Sequence, residues 1–407
     1  MAKIKIRNFG PIKDGLQSND GFLDIKGVTV FIGNQGSGKS TIAKLYSTLS
    51  WIEKALMRTD FTENYVMKYN RFKKHLAYQN LSNYIGDQSF VEYIGDAYTL
   101  KFENNQFQVL PHNNDKNYKF PKIMYVPAER NFVSSVERPD LVKRLPLPLY
   151  DFMNEYEKAK EHTTQSEKLP IGNVSFEYKK SNKKSFLVSD AYSIELLEAS
   201  SGFQSMVPLV LVTRYLSESM KNKVSGTRKE IDRVRETVIK KIISEAIDKE
   251  NFSEEVLKAL MEKLSSQFRY EIFINVVEEP EQNLYPDSQR RILHELLKYK
   301  NERINNKLLI TTHSPYLINY LSIAVKAHSL KDRVKSAEHK ERLESIVPYS
   351  STLDAKELVI YELDERSGTI KTLDNYEGIP SDKNFLNTSL GETNTLFDRL
   401  LDIEDEL

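Results

Sequence analysis

The sequence predicts an α/β fold with a mixed sheet core, N-terminal antiparallel β strands and a helical insertion. Three observations support this class. An apolar strand from Val28 to Ile32 is followed by a glycine-rich loop and a helix. Two more apolar strands, Ile272 to Val277 and Lys307 to His313, end in polar residues and precede helices. The first residues, Lys3 to Asn8, alternate charged and apolar side chains as a half-exposed strand does.

The loop after the strand at 28–32 fits the P-loop pattern G-x-x-x-x-G-K-[ST]. Its glycines let successive backbone N–H groups face the phosphates of a nucleotide, and the following helix points its positive end at them. Lys39 adds a positive charge for the β- and γ-phosphates, and the Ser40 hydroxyl can bind Mg²⁺. The sequence therefore predicts binding of ATP or GTP with Mg²⁺. The loop consists of Gly33, Asn34, Gln35, Gly36, Ser37, Gly38, Lys39, Ser40 and Thr41.

Length and composition exclude several classes of protein. The 407 residues suffice for one large domain or two smaller ones. Lys+Arg and Asp+Glu each number 58, so no overall field attracts the chain to nucleic acid or to a membrane. The absence of cysteine excludes disulfides, cysteine-ligated zinc and a thiol nucleophile. Because the N-terminus lacks a secretory signal and no segment can span a bilayer, we expect a cytoplasmic protein with no membrane contact.

Two glutamates follow the strand at 272–277 and one histidine ends the strand at 307–313. Glu278 can hold Mg²⁺ through water, and Glu279 can orient and deprotonate the attacking water. Such positions line the ligand crevice of α/β sheets. His313, within Thr-Thr-His-Ser-Pro, is predicted to reach a γ-phosphate. The alternatives are a solvated glutamate pair and a structural histidine.

Two further stretches suit the edge of a nucleotide site. Ser200, Ser201 and Gly202 open a predicted helix that runs toward Met220, and its N-terminus is a second anion-binding end. Taken alone, these residues are more often an ordinary helix cap. Lys122 to Val126 is predicted as a strand, followed by the charged residues Glu129 and Arg130. A solvated turn after that strand is about as good an interpretation.

The remaining elements are assigned from periodicity. A basic loop, Lys179 to Lys184, joins two predicted strands, and it can touch a phosphate backbone, although such runs are more often solvated turns. The acidic tail from Leu401 to Leu407 is expected to fray. The other predictions are an exposed helix over 61–84, short strands over 90–110, a helix over 149–160, a helical hairpin over 228–250 and 254–268, a helix over 288–300, a mostly helical stretch over 318–343 and a β-hairpin over 358–373.

The order of these motifs resembles the ABC-type ATPases, in the branch that contains SMC, Rad50, RecF and the OLD-family ATPases. The signature-like segment departs from the usual Leu-Ser-Gly-Gly-Gln, and Glu278 stands where most relatives have Asp. No clear Q-loop glutamine follows a strand, and Glu129 is the candidate by position. The matching segments are the opening Ile6 to Ile12, Walker A at Gly33 to Thr41, the signature at Ala199 to Ser205, Walker B at Glu278 to Glu281, the D-loop at Gln282 to Tyr285 and the switch at Thr311 to Pro315.

The resemblance implies one ABC-type P-loop ATPase head over residues 1–407, with a core lobe of 1–130 and 269–407. A helical and signature lobe, with the inserted helical hairpin, spans 131–268. The resemblance also implies a homodimer or higher homo-oligomer in which ATP on one Walker A faces the Ser200/Gly202 helix of the other subunit. Glu279, His313 and Lys39 are then the catalytic residues, and Ser40, Glu278 and Glu129 surround Mg²⁺.

Small OLD-like ATPases without a fused nuclease resemble the ATPase components of bacterial anti-phage systems such as PARIS and Septu. There the ATPase acts as a sensor and scaffold for a separate effector protein, often a nuclease. We expect no Toprim nuclease after the ATPase, because too few residues follow the switch. A RecF-like DNA-repair ATPase that clamps DNA and a nucleotide-gated structural scaffold with little turnover remain alternatives. A P-loop kinase or a transporter ATPase explains fewer of the motifs.

Overall fold

The structure is a computed structural model that describes residues 2–112, 118–221 and 270–406. The helical hairpin predicted over 228–250 and 254–268 lies outside these residues. The strands are β1 (Lys3–Phe9), β2 (Gly15–Leu16), β3 (Phe22–Asp24), β4 (Val28–Gly33), β5 (Ile85–Ile94), β6 (Tyr98–Glu103), β7 (Gln106–Pro111), β8 (Pro121–Val126), β9 (Glu167–Lys168), β10 (Ser175–Lys179), β11 (Lys184–Val188), β12 (Ser193–Glu195), β13 (Ile272–Glu278), β14 (Lys307–Thr312), β15 (Leu358–Leu363), β16 (Thr369–Thr372), β17 (Asn375–Tyr376) and β18 (Ile379–Pro380).

Ten α-helices are assigned within the described ranges, and several carry the functional segments. The helices that begin at Leu147, Pro286 and Pro315 start two or three residues before the helices predicted at 149, 288 and 318, and each has a proline in its first turn. The helices are α1 (Lys39–Met57), α2 (Glu63–Val66), α3 (Arg71–Ala77), α4 (Phe132–Ser135), α5 (Leu147–His162), α6 (Ser201–Ser219), α7 (Pro286–Asn301), α8 (Pro315–Lys331), α9 (Ala337–Ile346) and α10 (Phe385–Asp405).

The central sheet has seven strands in the order β2-β16-β15-β4-β14-β13-β8. The five strands from β15 to β8 are mutually parallel, and β16 pairs with β15 in antiparallel orientation. This mixed sheet confirms the predicted fold class. Because parallel strands share their direction, the carboxyl ends of β4, β8, β13 and β14 meet at one edge of the sheet.

Alternate side chains of the central strands enter two separate hydrophobic clusters. On β4, Val30 and Ile32 join the cluster formed with α5, α6, α7 and α8, whereas Phe31 joins the cluster formed with α1. The second cluster also includes the inner side chains of a five-stranded antiparallel sheet, β3-β1-β5-β6-β7. The predicted N-terminal antiparallel strands are therefore confirmed, and both faces of the central sheet are covered.

A small antiparallel sheet, β12-β11-β10-β9, precedes α6. Its central pair, β10 and β11, is the hairpin predicted around the basic loop, with Lys179 opposite Lys184. Proline at position 208 lies inside α6 without ending the helix.

Two sequence predictions of secondary structure are wrong. The exposed helix over 61–84 is two short helices, α2 and α3, separated at Asn70, which has a left-handed φ of 63°. These helices also bury Val66, Phe72 and Leu76. By contrast, the mostly helical stretch predicted over 318–343 is confirmed, as α8 and α9. The acidic tail, expected to fray, is helical as far as Asp405. It belongs to α10, whose N-cap Asn384 accepts with its side chain from the Asn387 N–H.

No helix in the described part of the chain combines the length and the hydropathy needed to cross a membrane.

Candidate active site

The glycine-rich loop joins β4 to α1 at the carboxyl edge of the central sheet. Gly33, Gly36 and Gly38 have φ angles of 144°, 75° and 102°, which L side chains rarely adopt. A Cβ at Gly33 would also lie 2.3 Å from the Leu363 carbonyl oxygen of β15. The backbone conformation of the loop, and at Gly33 also the close approach of β15, therefore explain these glycines. The resulting curve is the cradle that a nucleotide phosphate needs.

The Lys39 side chain is folded back over this loop. Its Nζ donates to the carbonyl oxygens of Gly33 at 2.9 Å and Asn34 at 2.7 Å. Burial lowers the pKa of Lys39 to about 8, although the nearby charge of Glu279 opposes the shift. The lysine is therefore close to losing its charge just above neutral pH.

The affinity for ATP is expected to fall as pH rises above the Lys39 pKa of about 8. A bound triphosphate favours the protonated lysine, so the pKa of Lys39 rises when ATP binds. The lysine therefore contributes its full share of the ATP affinity only below the pKa it has in the nucleotide-free protein. Above it, the apparent Kd should increase by up to about tenfold per pH unit. Calorimetric titrations between about pH 7 and 9.5 measure this slope. Lys39→Arg should bind ATP with a flat profile, and a flat wild-type profile would contradict the assignment.

Glu278 ends β13 and its side chain is buried. One oxygen, Oε2, accepts from the Ala128 N–H at 3.3 Å, whereas Oε1 is buried without a hydrogen-bond partner. The Tyr125 hydroxyl, whose pKa is raised by burial and by Glu278, lies nearby but also lacks a partner of acceptable geometry. A buried carboxylate oxygen is costly unless something satisfies it. This unpaired oxygen fits a cation or its bound water.

Glu279 has a left-handed backbone, with φ of 43°, which is strained for a residue with a side chain. Its N–H donates to the Thr311 carbonyl at 2.9 Å. Its Oε1 lies 3.6 Å from His313 Nε2, so the two predicted catalytic side chains face each other. Burial and the charge of Glu278 raise the pKa of Glu279, whereas burial and Lys39 lower the pKa of His313. The Glu279 carboxylate, which can accept a proton, therefore lies beside the neutral imidazole of His313.

Glu281 is a neighbour that the sequence analysis assigned only to the motif and not to a role. Its Oε1 accepts from the Thr312 hydroxyl at 2.7 Å and from the His313 N–H at 2.8 Å. These bonds join the loop after β13 to the loop after β14 and fix the backbone of His313. The sequence signal for it was the third glutamate of Glu-Glu-Pro-Glu.

Arg130 is the most informative residue that the sequence analysis did not single out. It is fully buried, and its guanidinium donates to the carbonyl oxygens of Glu278 at 2.7 Å, Glu279 at 2.7 Å and Ser205 at 3.2 Å. A fourth bond reaches the Pro127 carbonyl at 3.3 Å. Burial lowers the pKa of Arg130 to about 10, so it stays charged at neutral pH. One side chain thus joins the end of β13, the turn after β8 and the first turns of α6.

The remaining predicted residues lie around this centre. Glu129 is exposed on the turn after β8, where its charge acts on Glu279 and Arg130. Ser200 and Ser201 are exposed at the start of α6. Gly202 packs against the segment after β13, since a Cβ there would lie 2.8 Å from the Asn283 carbonyl oxygen.

The structure thus gathers Lys39, Glu278, Glu279 and His313 at one sheet edge and leaves the serines of α6 open to solvent. Within the described ranges, no three histidine or acidic side chains form a self-contained metal cluster. A Mg²⁺ ion usually keeps several waters and takes only one or two carboxylates together with phosphate oxygens. The half-buried Ser40 hydroxyl and the unpaired oxygen of Glu278 fit that requirement.

One family model matches the chain, over residues 274–319. It is AAA_21, described as "AAA domain, putative AbiEii toxin, Type IV TA system". The matched segment contains Glu278, Glu279, Glu281 and His313. No curated protein matches the chain significantly.

Solved structures with similar folds are distant in sequence. The SMC head domain from Thermotoga maritima aligns with a TM-score of 0.37 and 10% identity, covering 92% of this chain and 98% of that one. An SMC head bound to the C-winged helix domain of ScpA aligns with a TM-score of 0.36 and 9% identity, covering 91% of this chain and 96% of that one. A dimeric ATP-binding cassette in a post-hydrolysis state with ADP and Pi aligns with a TM-score of 0.32 and 13% identity, covering 92% of this chain and 100% of that one. Together with the P-loop on a parallel strand of a mixed sheet, the AAA_21 match supports an ABC-type P-loop ATPase fold.

Proposed function

We propose that the protein binds and hydrolyses ATP with Mg²⁺ and dimerises head to tail around the nucleotide. The observation that carries this proposal is the convergence of Lys39, Glu278, Glu279 and His313 beside the P-loop. These residues supply the positive charge, the cation ligand and the base that phosphoryl transfer to water requires.

Each residue has a distinct task in this scheme. Lys39 binds the β- and γ-phosphates, while Ser40 and Glu278 hold Mg²⁺, with Glu129 placed to act through water. Bound Mg²⁺ would neutralise charge on the phosphate oxygens. Glu279 orients the attacking water and accepts its proton, and its raised pKa makes it a better base near neutral pH. His313, neutral and held by Glu281, donates toward the γ-phosphate.

The proposed head-to-tail dimer is supported by the exposed N-terminal end of α6. Ser200 and Ser201 present the N-terminal end of a 19-residue helix to solvent. Free N–H groups at such an end favour an anion. In the proposed dimer, this end meets the γ-phosphate held by the partner's P-loop. Each site then takes its P-loop, carboxylates and histidine from one protomer and the start of α6 from the other.

A mixing experiment tests this composite site. Lys39→Ala should abolish ATP binding at its own P-loop, and Ser200→Arg should block the signature end by bulk and charge. Each variant alone is expected to be inactive. In an equimolar mixture, each heterodimer has one intact site, so about a quarter of the wild-type rate should return. Heterodimers that form without recovering activity would contradict the head-to-tail site.

The finer role we propose is that of a cytoplasmic sensor and scaffold controlling a separate effector, a nuclease of an anti-phage system. Its support is the resemblance of the motifs to the ATPases of such systems. The basic loop, Lys179 to Lys184, gives little support to the alternative that the protein clamps DNA directly. Lys184 pairs with Glu195 at 2.6 Å, and Lys179 lies 4.1 Å above the Phe186 ring. These internal contacts occupy two of the loop's four lysines.

A further inference from the structure

Helix α10 exposes an apolar face. Its 21 residues correspond to about 30 Å of helix. Only Leu386, in the first turn, is buried. At 100° per residue, the large apolar side chains fall on one side of the helix, a pattern that marks an interaction surface. The most exposed of them are Leu390 (57%), Leu396 (58%), Phe397 (61%), Leu400 (62%) and Ile403 (54%).

The polar side of α10 is strongly acidic. Between Phe385 and Glu406 it carries five of the six carboxylates and the one guanidinium, that of Arg399, whereas Glu404 falls on the apolar side. Asp398 and Asp405, one heptad apart, flank the apolar face. A partner for this helix therefore needs exposed apolar side chains beside positive charge.

The same chain carries a surface of that chemistry, which we call the basic apolar segment (residues 141–147). Its exposed apolar side chains are Leu141 (65%), Val142 (41%) and Leu147 (42%). Between them lie the exposed Lys143 and Arg144, and the segment has no acidic residue. It is thus the chemical complement of α10.

The two surfaces belong to opposite halves of the proposed site. Helix α10 begins beside the P-loop strand, because the Phe385 N–H donates to the Glu362 carboxylate and Glu362 pairs in register with Ile32 of β4. The basic apolar segment follows α4, where Ser134 Oγ donates to the Gln204 carbonyl in the first turn of α6 at 2.5 Å. A head-to-tail dimer brings the P-loop side of one protomer to the signature side of the other.

We propose that α10 of one protomer docks on the basic apolar segment of a second copy of this chain. The inference rests on the proposed head-to-tail arrangement and adds a contact outside the nucleotide. Two copies of α10 packed through their apolar faces would bring their flanking residues Asp398 and Asp405 together, which disfavours that pairing.

A charge exchange in the Glu279→Gln background tests the contact. One variant adds Asp398→Lys and Asp405→Lys to α10, and the other adds Lys143→Glu and Arg144→Glu to the segment. Each alone should weaken ATP-dependent dimerisation by about tenfold or more. A matched control, Glu338→Lys with Glu341→Lys on the exposed side of α9, should dimerise like the parent. Mass photometry at several salt concentrations measures the fraction of each homodimer and heterodimer. One of the two proteins in a mixture is enlarged by a fusion so that the heterodimer has a distinct mass.

The mixture of the two exchanged variants decides the question. Both contacts of that heterodimer are complementary again, so dimerisation should recover to near the parent level. Unchanged dimerisation of the single variants, or no recovery in the mixture, overturns the α10 contact while the head-to-tail dimer stands. Tighter pairing of the α10 variant with the parent than of the parent with itself would instead show α10 self-association. If the parent protein does not dimerise with ATP, the proposed function fails, and the α10 contact fails with it.

Discussion

Glu279→Gln is expected to lower kcat for ATP hydrolysis by about 10²–10⁴-fold while the Kd for ATP changes little. Glutamine keeps the shape and the hydrogen bonds of the side chain but cannot accept the proton of the attacking water. The Glu279 carboxylate lies 3.6 Å from His313 and does not belong to the P-loop, so nucleotide binding should persist. Steady-state hydrolysis and calorimetric ATP titration measure the two quantities separately.

The matched control is Glu271→Gln, just before the other end of β13, where the side chain is exposed. It should hydrolyse ATP at the wild-type rate. Full turnover by the Glu279→Gln protein would remove Glu279 from its proposed role. Loss of ATP binding in that variant would show instead that the carboxylate is required for nucleotide affinity.

The same variant should accumulate the ATP-bound assembly, since hydrolysis no longer dissolves it. Mass photometry of Glu279→Gln protein purified beside its genomic neighbours, with and without ATP–Mg²⁺, examines this state. An ATP-dependent species that contains a second, defined polypeptide supports effector control. An ATP-dependent homodimer without a second polypeptide counts against the effector and leaves the dimer intact. Strong salt-dependent DNA binding by that homodimer would favour the RecF-like alternative.

Arg130 variants are expected to have the second-largest effect. Arg130→Met leaves four buried carbonyl oxygens without their donor, including those of Glu278 and Glu279. Because these carbonyl oxygens lose their hydrogen bonds to a buried charged group, the free energy of unfolding should fall by about 3–5 kcal/mol. Urea unfolding measures that loss. Arg291→Met, which removes only an exposed ion pair with Asp287, should change stability by less than about 1 kcal/mol.

Arg130→Lys distinguishes a role of Arg130 in positioning the Glu278 and Glu279 carboxylates from a role in stability alone. Lysine keeps the charge but cannot bridge the carbonyls of Glu278 and Glu279 with a planar fork. We expect the folded variant to lose about tenfold or more in kcat with little change in KM, because the backbone that aims Glu279 is released. A variant that is destabilised but retains full kcat would limit Arg130 to a structural role.

Local chemistry explains why the P-loop was predictable from the sequence. Its glycines, its lysine and the flanking strand and helix are contiguous, and their backbone requirements are set within a few residues. The carboxyl ends of β13 and β14 were predictable for a related reason, since apolar runs that end in polar residues indicate parallel strands meeting at one edge. The mixed sheet and the antiparallel N-terminal strands followed from the same periodicities. The roles of Glu129 and of Ser200 to Gly202 stay predictions.

The omissions of Glu281 and Arg130 have a common physical cause in long-range contacts, whereas helix α10 was missed for a local reason. Helix α10 was missed because its apolar face is spread over 21 residues that contain polar residues and a glycine, and its cap depends on Asn384. Glu281 acts through Thr312 and His313, more than thirty positions away along the chain. Arg130 was missed because its partners at Ser205, Glu278 and Glu279 come from distant segments. The sequence specified which groups can do the chemistry, whereas only tertiary packing decided which buried charge holds them in position, because desolvation and hydrogen bonding depend on neighbours far apart in the chain.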